Sequence, residues 1–162
     1  MWLYDTVVTM PPNGKLPAVF VRPAELRDIP FCKAIADANR EALGFIVAAA
    51  FADAICRNQL LVAESAEEVV GFVRYNHRVR GAETALYDIC VASVARLQGV
   101  GRSLVAALSE LCRLHERNTI IARCPEDLPS NAFYARLGFQ RITVEPGRRR
   151  RLVLWRLTLS EA

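Results

Sequence analysis

Asp88-Ile89-Cys90-Val91-Ala92-Ser93-Val94-Ala95-Arg96-Leu97-Gln98-Gly99-Val100-Gly101-Arg102-Ser103 is the stretch on which the fold turns. A β-type run ending at Val91 feeds a loop whose two glycines fall where a helix begins. Gly99 and Gly101 carry no side chains, so successive main-chain N–H groups can converge on an anion at the positive end of that helix. The helix is expected from about Val100 to Glu116, long enough for a substantial dipole. Arg96 and Arg102 add positive charge nearby. The natural ligand is a phosphate or pyrophosphate. The stretch is neither the dinucleotide fingerprint, whose third glycine is missing, nor a P-loop, since no Gly-Lys-Ser/Thr follows.

Upstream, Leu60–Glu64, Val69–Arg78 and Thr84–Val91 read as three successive strands joined by connections short enough for hairpins. Val19–Arg22 reads as a first strand. Between the first and second strands lie two helical segments. Asp28 suits an N-cap with Pro30 in the first turn, and Ile29, Cys32, Ile35, Ala36 and Asn39 share one face. Gly44 breaks that run, and Ile46–Arg57 makes a second helix. Trp2–Thr9 is read as a further strand before the turn at Met10–Gly14. Downstream, Thr119–Arg123 is a fifth strand, so strand–helix–strand here predicts a parallel crossover. Gln140–Val144, a turn at Pro146-Gly147 and Arg150–Leu159 close the chain.

A second segment is Pro129-Ser130-Asn131-Ala132-Phe133-Tyr134-Ala135-Arg136-Leu137-Gly138-Phe139. Ser130 or Asn131 can cap a short helix that Gly138 ends. Alone it is a packing helix with a core tyrosine. Together, R-x-x-G-x-G after a strand (Arg96, Gly99, Gly101) and N-A-x-Y-x-x-x-G-F about thirty residues later resemble the GNAT superfamily of acetyl-CoA-dependent N-acetyltransferases. The element order resembles that fold as well, over residues 18 to 159.

The resemblance implies an α/β (α+β) fold: a mixed, mostly antiparallel central sheet with a splayed parallel strand pair and helices on both faces. Residues 18–162 form a single acetyltransferase domain, and residues 1–17 are a lead outside the resemblance. In this family the loop wraps the pyrophosphate of coenzyme A with main-chain N–H groups, here those of Gln98, Gly99, Val100, Gly101 and Arg102, with Arg96 and Ser103 beside them. The backbone of Ile89, Cys90 and Val91 would pair with the pantetheine arm, and an N–H near Cys90 or Val91 would polarise the thioester carbonyl. Asn131 matches a cofactor-contacting asparagine. Tyr134 matches the tyrosine that protonates the departing thiolate, so it is both cofactor-binding and catalytic.

Asp88 matches a strand position that is acidic in many relatives and is the second catalytic candidate, holding the ammonium or relaying its proton. Upstream positions where relatives often place a glutamate are Ala85 and Tyr87, which puts a simple glutamate base in doubt. Direct attack in a ternary complex is preferred to an acetyl-cysteine at Cys90, which has no sequence-adjacent histidine.

For the acceptor, Arg40, Glu41, Phe45 and Phe51 in the two-helix segment and Arg148–Arg151 in the last hairpin are the candidates. A small-molecule amine is expected first. A protein N-terminus, an aminoacyl-tRNA, or a non-catalytic acyl-CoA-sensing or nucleic-acid-binding module are the alternatives. A homodimer rests on the family resemblance alone.

Composition agrees with a one-domain globule. The chain has 162 residues, 52% of them hydrophobic and 23% charged. Its longest apolar run, Phe45–Ala52, is far below the ~18 residues of a membrane span. No signal-like segment opens the chain, so a soluble, cytoplasmic protein is expected. Five cysteines without a C-x-x-C pair, beside two histidines, read as reduced, small buried hydrophobes, and no metal is expected. The net charge of +4 is local: Gln140–Arg151 holds five arginines against one acid, Glu145.

Overall fold

A computed structural model describes residues 12–160. The strand anticipated over Trp2–Thr9 lies outside the described residues. Seven strands form one sheet in the order β1-β2-β3-β4-β5-β7-β6. They are β1 Val19–Pro23, β2 Leu60–Ser65, β3 Glu68–His77, β4 Glu83–Val91, β5 Thr119–Pro125, β6 Gln140–Pro146 and β7 Arg151–Thr158. The helices are α1 Ile29–Asp37, α2 Arg40–Leu43, α3 Ala48–Cys56, α4 Val100–Leu114 and α5 Ser130–Arg136. The described residues divide into two compact units, one holding those up to Arg74 with Asp88–Ala106, the other holding Tyr75–Tyr87 with those from Ala107 onward.

In the first unit β1 runs antiparallel to β2, and β2 antiparallel to β3. The β2–β3 hairpin turns on Ala66 and Glu67, both at positive φ (50° and 66°). That is the twist a two-residue hairpin demands, imposed here without a glycine. The core forms where alternation and helical spacing converge. Cys32, Ile35 and Ala36 of α1 are buried, and Phe51 of α3 meets the Phe72 ring edge-on at 5.3 Å between centroids. Full burial of a phenylalanine contributes about 1.5–3 kcal/mol. Phe51 is therefore a core residue rather than part of an acceptor wall. Phe45 is exposed, with Lys33 and Arg40 over its ring.

The helix starts depart from expectation in an instructive way. Asp28 does stand at the N-cap position of α1, but its side chain makes no cap bond there. It instead accepts the Glu25 N–H at 2.7 Å and both Arg22 terminal nitrogens at 2.8 and 2.9 Å. A charge-assisted fork from a neighbouring strand outcompetes a neutral cap bond. The helical run before Gly44 also breaks early, at Ala38-Asn39, leaving α2 as one separate turn, and α3 starts at Ala48 rather than Ile46.

In the second unit β4 and β5 are parallel, as the crossover predicts. Their register pairs Glu83–Leu86 with Thr119–Ala122, while β4 itself runs on to Val91 and β5 to Pro125. β7 pairs antiparallel with β5 on one side and with β6 on the other. Ile120, Val153, Trp155, Phe139 and Tyr134 are buried here. Neither Ser130 nor Asn131 caps α5: its N-cap is Pro129, with no side-chain cap bond. Four of the five cysteines are buried, Cys56 being exposed.

Candidate active site

The loop after β4 is bent by two left-handed residues, Leu97 at φ 61° and Gly99 at φ 80°. Gly99 sits directly before α4, and a Cβ placed there would meet nothing within 4 Å. The space in front of the helix is therefore open, and glycine is required by backbone conformation rather than by crowding. The first bond of the α4 ladder is Ser103 N–H to Gly99 C=O at 2.9 Å. The N–H groups of Val100, Gly101 and Arg102 thus precede the ladder and lack helical acceptors. A diphosphate fits such a cradle. The Ser103 hydroxyl donates to the Gly99 carbonyl at 3.0 Å, so it braces the turn.

Gln98 has a role its sequence position did not reveal. Its side-chain Oε1 accepts the Leu16 N–H at 2.7 Å and its Nε2 donates to the Gly14 carbonyl at 3.2 Å. The lead, set outside the domain by sequence, is fastened to the loop at this point. The Ser65 hydroxyl donates to the Pro17 carbonyl at 3.0 Å and extends the seam. Arg96 reaches back to the Val91 carbonyl at 3.4 Å and donates to the Asn39 side-chain carbonyl. Arg102 is exposed.

Along β4, Asp88 is taken by Arg74, whose Nε and Nη2 lie 2.7 and 2.6 Å from its Oδ2. Ile89 and Val91 are half-buried. Cys90 is buried, and that burial pushes its thiol up to about 11. A thiol so protonated is a poor nucleophile at neutral pH. β3 approaches the same strand closely: a Cβ on Gly71 would come within 2.9 Å of the Cys90 carbonyl oxygen. Ala85 is buried and Tyr87 exposed, so neither supplies the acid that the resemblance would place there.

In the other unit, Tyr134 is buried among aromatic rings. Phe133 and Phe139 lie edge-on at 5.4 and 5.3 Å, and Trp155 stacks at 6.1 Å. Asn131 is built into the fold. Its Nδ2 donates to the Pro125 and Leu128 carbonyls at 2.8 and 2.9 Å, and its Oδ1 accepts the Trp155 indole N–H at 2.9 Å. Trp155 is the partner that sequence missed; its only signal was an inward-facing place on the last strand.

The arginine cluster is largely paired. Arg150 meets Asp127 at 2.9 Å, while Arg141 and Arg151 approach Glu126 at 3.4 and 3.6 Å. Local positive charge in the sequence is thus offset by acids from the segment after β5.

A family model described as an acetyltransferase (GNAT) domain matches residues 56–141, just over half of the chain. The chain belongs to the GNAT acetyltransferase family. It is 38% identical over 78 residues to the 5-NmdU N-acetyltransferase of Pseudomonas phage PaMx11, a match covering 48% of this chain and 54% of that relative. The chain therefore spans about half the length of that curated relative. Among solved structures, Ard1 of Thermoplasma volcanium superposes with a TM-score of 0.79 at 21% identity, covering 89% of this chain and 99% of that one. The yncA protein of Salmonella typhimurium, solved with its cofactor acetyl-CoA, gives 0.68 at 19%, covering 90% and 96%. These likenesses carry the GNAT fold across nearly the whole chain, well beyond the matched motif region. Among the described residues, no helix is long and apolar enough to cross a membrane.

Proposed function

We propose that this GNAT domain transfers the acetyl group of acetyl-CoA to a primary amine by direct attack, with a small-molecule amine as acceptor. The observation that carries this reading is the join of β4 to α4: a strand running five residues past its parallel register, then a loop with left-handed Leu97 and Gly99, then a helix N-terminus open to an anion.

Acetyl-CoA supplies the thioester: the amine lone pair adds to its carbonyl carbon, the C–S bond breaks, and one proton leaves the amine as one reaches the thiolate. The residues Gln98–Arg102 hold the diphosphate with main-chain N–H groups, and Ile89–Val91 offer backbone groups to the pantetheine amides. The Cys90 or Val91 N–H stabilises negative charge on the carbonyl oxygen. Tyr134 donates its phenolic proton to the leaving sulfur, and its ring packing fixes where that proton is delivered. Asp88, bound to Arg74, holds β4 in place and offers its remaining oxygen to the acceptor ammonium. Asn131 acts at one remove, by tying the start of α5 to Trp155. The raised Cys90 thiol supports direct attack over an acetyl-cysteine.

A second reading takes an acceptor of the kind named for the phage relative, 5-NmdU, on the strength of the 38% identity over the matched region. Titration of the full chain with acetyl-CoA by calorimetry, followed by thiol release with a panel of amines, peptides and modified nucleosides, tests both. Acetyl-CoA binding with acceptor-dependent release supports the enzyme, and the responding acceptor class selects between the readings. Absence of acetyl-CoA binding by the folded protein overturns both.

A further inference from the structure

Leu97 holds φ at 61° while 95% of its surface stays exposed. A left-handed backbone is disfavoured in any residue with a Cβ, and an exposed leucine gains no packing to offset it. Such a conformation persists where the surrounding structure imposes it. Here both neighbours of Leu97 are held.

On one side, Arg96 donates to the Val91 carbonyl at 3.4 Å and to the side-chain carbonyl of Asn39. Asn39 is itself fixed to the end of α1, its amide donating to the Ile35 carbonyl at 2.7 Å. On the other side stands Gln98. Its Oε1 accepts the Leu16 N–H at 2.7 Å and its Nε2 donates to the Gly14 carbonyl at 3.2 Å. One carboxamide thus takes both main-chain groups that flank Lys15, a donor and an acceptor at once. The lead is anchored in turn. Ser65, buried at the end of β2, donates its hydroxyl to the Pro17 carbonyl at 3.0 Å. A continuous set of contacts therefore runs from β2 through Pro17, Leu16 and Gly14 to Gln98, all within the first compact unit.

Gln98 is followed at once by Gly99 and by the N–H groups of Val100, Gly101 and Arg102 that precede the α4 ladder. Rotation about one φ redirects every peptide after it. Were Leu97 to relax to negative φ, those N–H groups would no longer converge on one anion. A site that holds its binding-competent shape only part of the time loses affinity by that fraction.

We propose that Gln98 is a positioning residue for coenzyme binding. Its side chain clamps the lead at Gly14 and Leu16, keeps Leu97 left-handed and so holds the diphosphate cradle preformed. The proposal rests on the reading of Gln98–Arg102 as the acetyl-CoA cradle, though the clamp itself does not.

The test uses the full chain and three substitutions. Gln98→Met keeps the side chain's length and removes both hydrogen bonds. Leu16→Pro removes the N–H that Gln98 accepts and leaves the loop's own sequence intact. Leu97→Asn installs a residue that adopts the left-handed region readily, in place of an exposed side chain. In calorimetric titrations, Gln98→Met should weaken acetyl-CoA binding by about tenfold. Adding Leu16→Pro to Gln98→Met should cost little more, because both break one contact. Leu97→Asn added to Gln98→Met should recover most of the lost affinity, a rescue that a purely structural role of Gln98 would not produce. Amide hydrogen exchange without any ligand should be faster at residues 97–101 in Gln98→Met than in wild type. Wild-type affinity in folded Gln98→Met, fully additive losses with Leu16→Pro, or no recovery with Leu97→Asn would each overturn the proposal. Absence of acetyl-CoA binding by wild type is a separate failure, that of the acetyltransferase reading itself, and takes the proposal with it.

Discussion

Arg74 grips Asp88 from two nitrogens of its guanidinium, 2.6 and 2.7 Å from the same carboxylate oxygen, across neighbouring strands β3 and β4. The pair is largely shielded, with 28% of the arginine side chain and 13% of the aspartate side chain exposed. Removing one partner leaves the other charge poorly solvated. Asp88→Asn should destabilise the protein by about 1–3 kcal/mol, read as a fall in melting temperature. The pH profile of kcat/KM should keep its shape, because a carboxylate committed to an arginine holds the strand and the acceptor ammonium without taking up its proton. A shift of the profile's acid limb would instead make Asp88 the proton acceptor.

Tyr134 keeps its ring contacts with Phe133, Phe139 and Trp155 when only the hydroxyl is deleted. Tyr134→Phe should therefore fold normally and bind acetyl-CoA with unchanged affinity. Turnover should fall by about a hundredfold, the size expected for losing a positioned acid. Steady-state kinetics beside calorimetry separates the two effects, and unchanged turnover would remove Tyr134 from the chemistry.

Gly99 has room for a side chain but a backbone that resists one. Gly99→Ala should cost about 1 kcal/mol through its positive φ. Gly99→Glu should weaken acetyl-CoA binding much further, since a carboxylate in front of α4 occupies and repels at the diphosphate cradle. Calorimetry on folded variants checks this. Equal affinity of Gly99→Glu and wild type would place the diphosphate elsewhere.

Acid should loosen the second unit through His77. Burial lowers its basicity, and His115 and Arg117 lower it further; the His115 ring lies 4.8 Å away and Thr84 Oγ1 2.7 Å from Nδ1. The unfolded chain takes up this proton near the ordinary value of 6.5 while the folded chain resists it. Stability from neutral His77 is thus complete above 6.5 and declines as pH falls below it. Melting temperatures measured from neutral pH down to about 5 should drop more for wild type than for His77→Gln. Parallel curves would exclude His77 as the source.

Much of the architecture was legible because it is encoded locally. Short apolar, β-branched runs between turn signals marked β2, β3, β4 and β5, helical spacing placed Cys32, Ile35 and Ala36 inward, and Gly138 ended α5. Helix starts were read less well. Asp28 and Asn131 are good cap residues by type, yet each found stronger partners, a guanidinium for one and two carbonyls with an indole for the other. Those partners lie from three to twenty-four residues away, on a preceding strand, in the loop before the helix or on the last strand, and no helix-cap rule ranks them.

Chemical identity of the loop, its glycines and the α4 helix behind it were fixed by sequence alone, since turn conformation and helix dipole depend on neighbours along the chain. The tertiary structure decided which charges remain available. It joined Arg74 to Asp88, spread Glu126 and Asp127 over the arginines of the last hairpin, fastened Gln98 to Leu16 and left Arg80 without an ion pair among the described residues. Electrostatic pairing acts through space over a few ångströms, so it is settled only when the sheet has brought remote residues together.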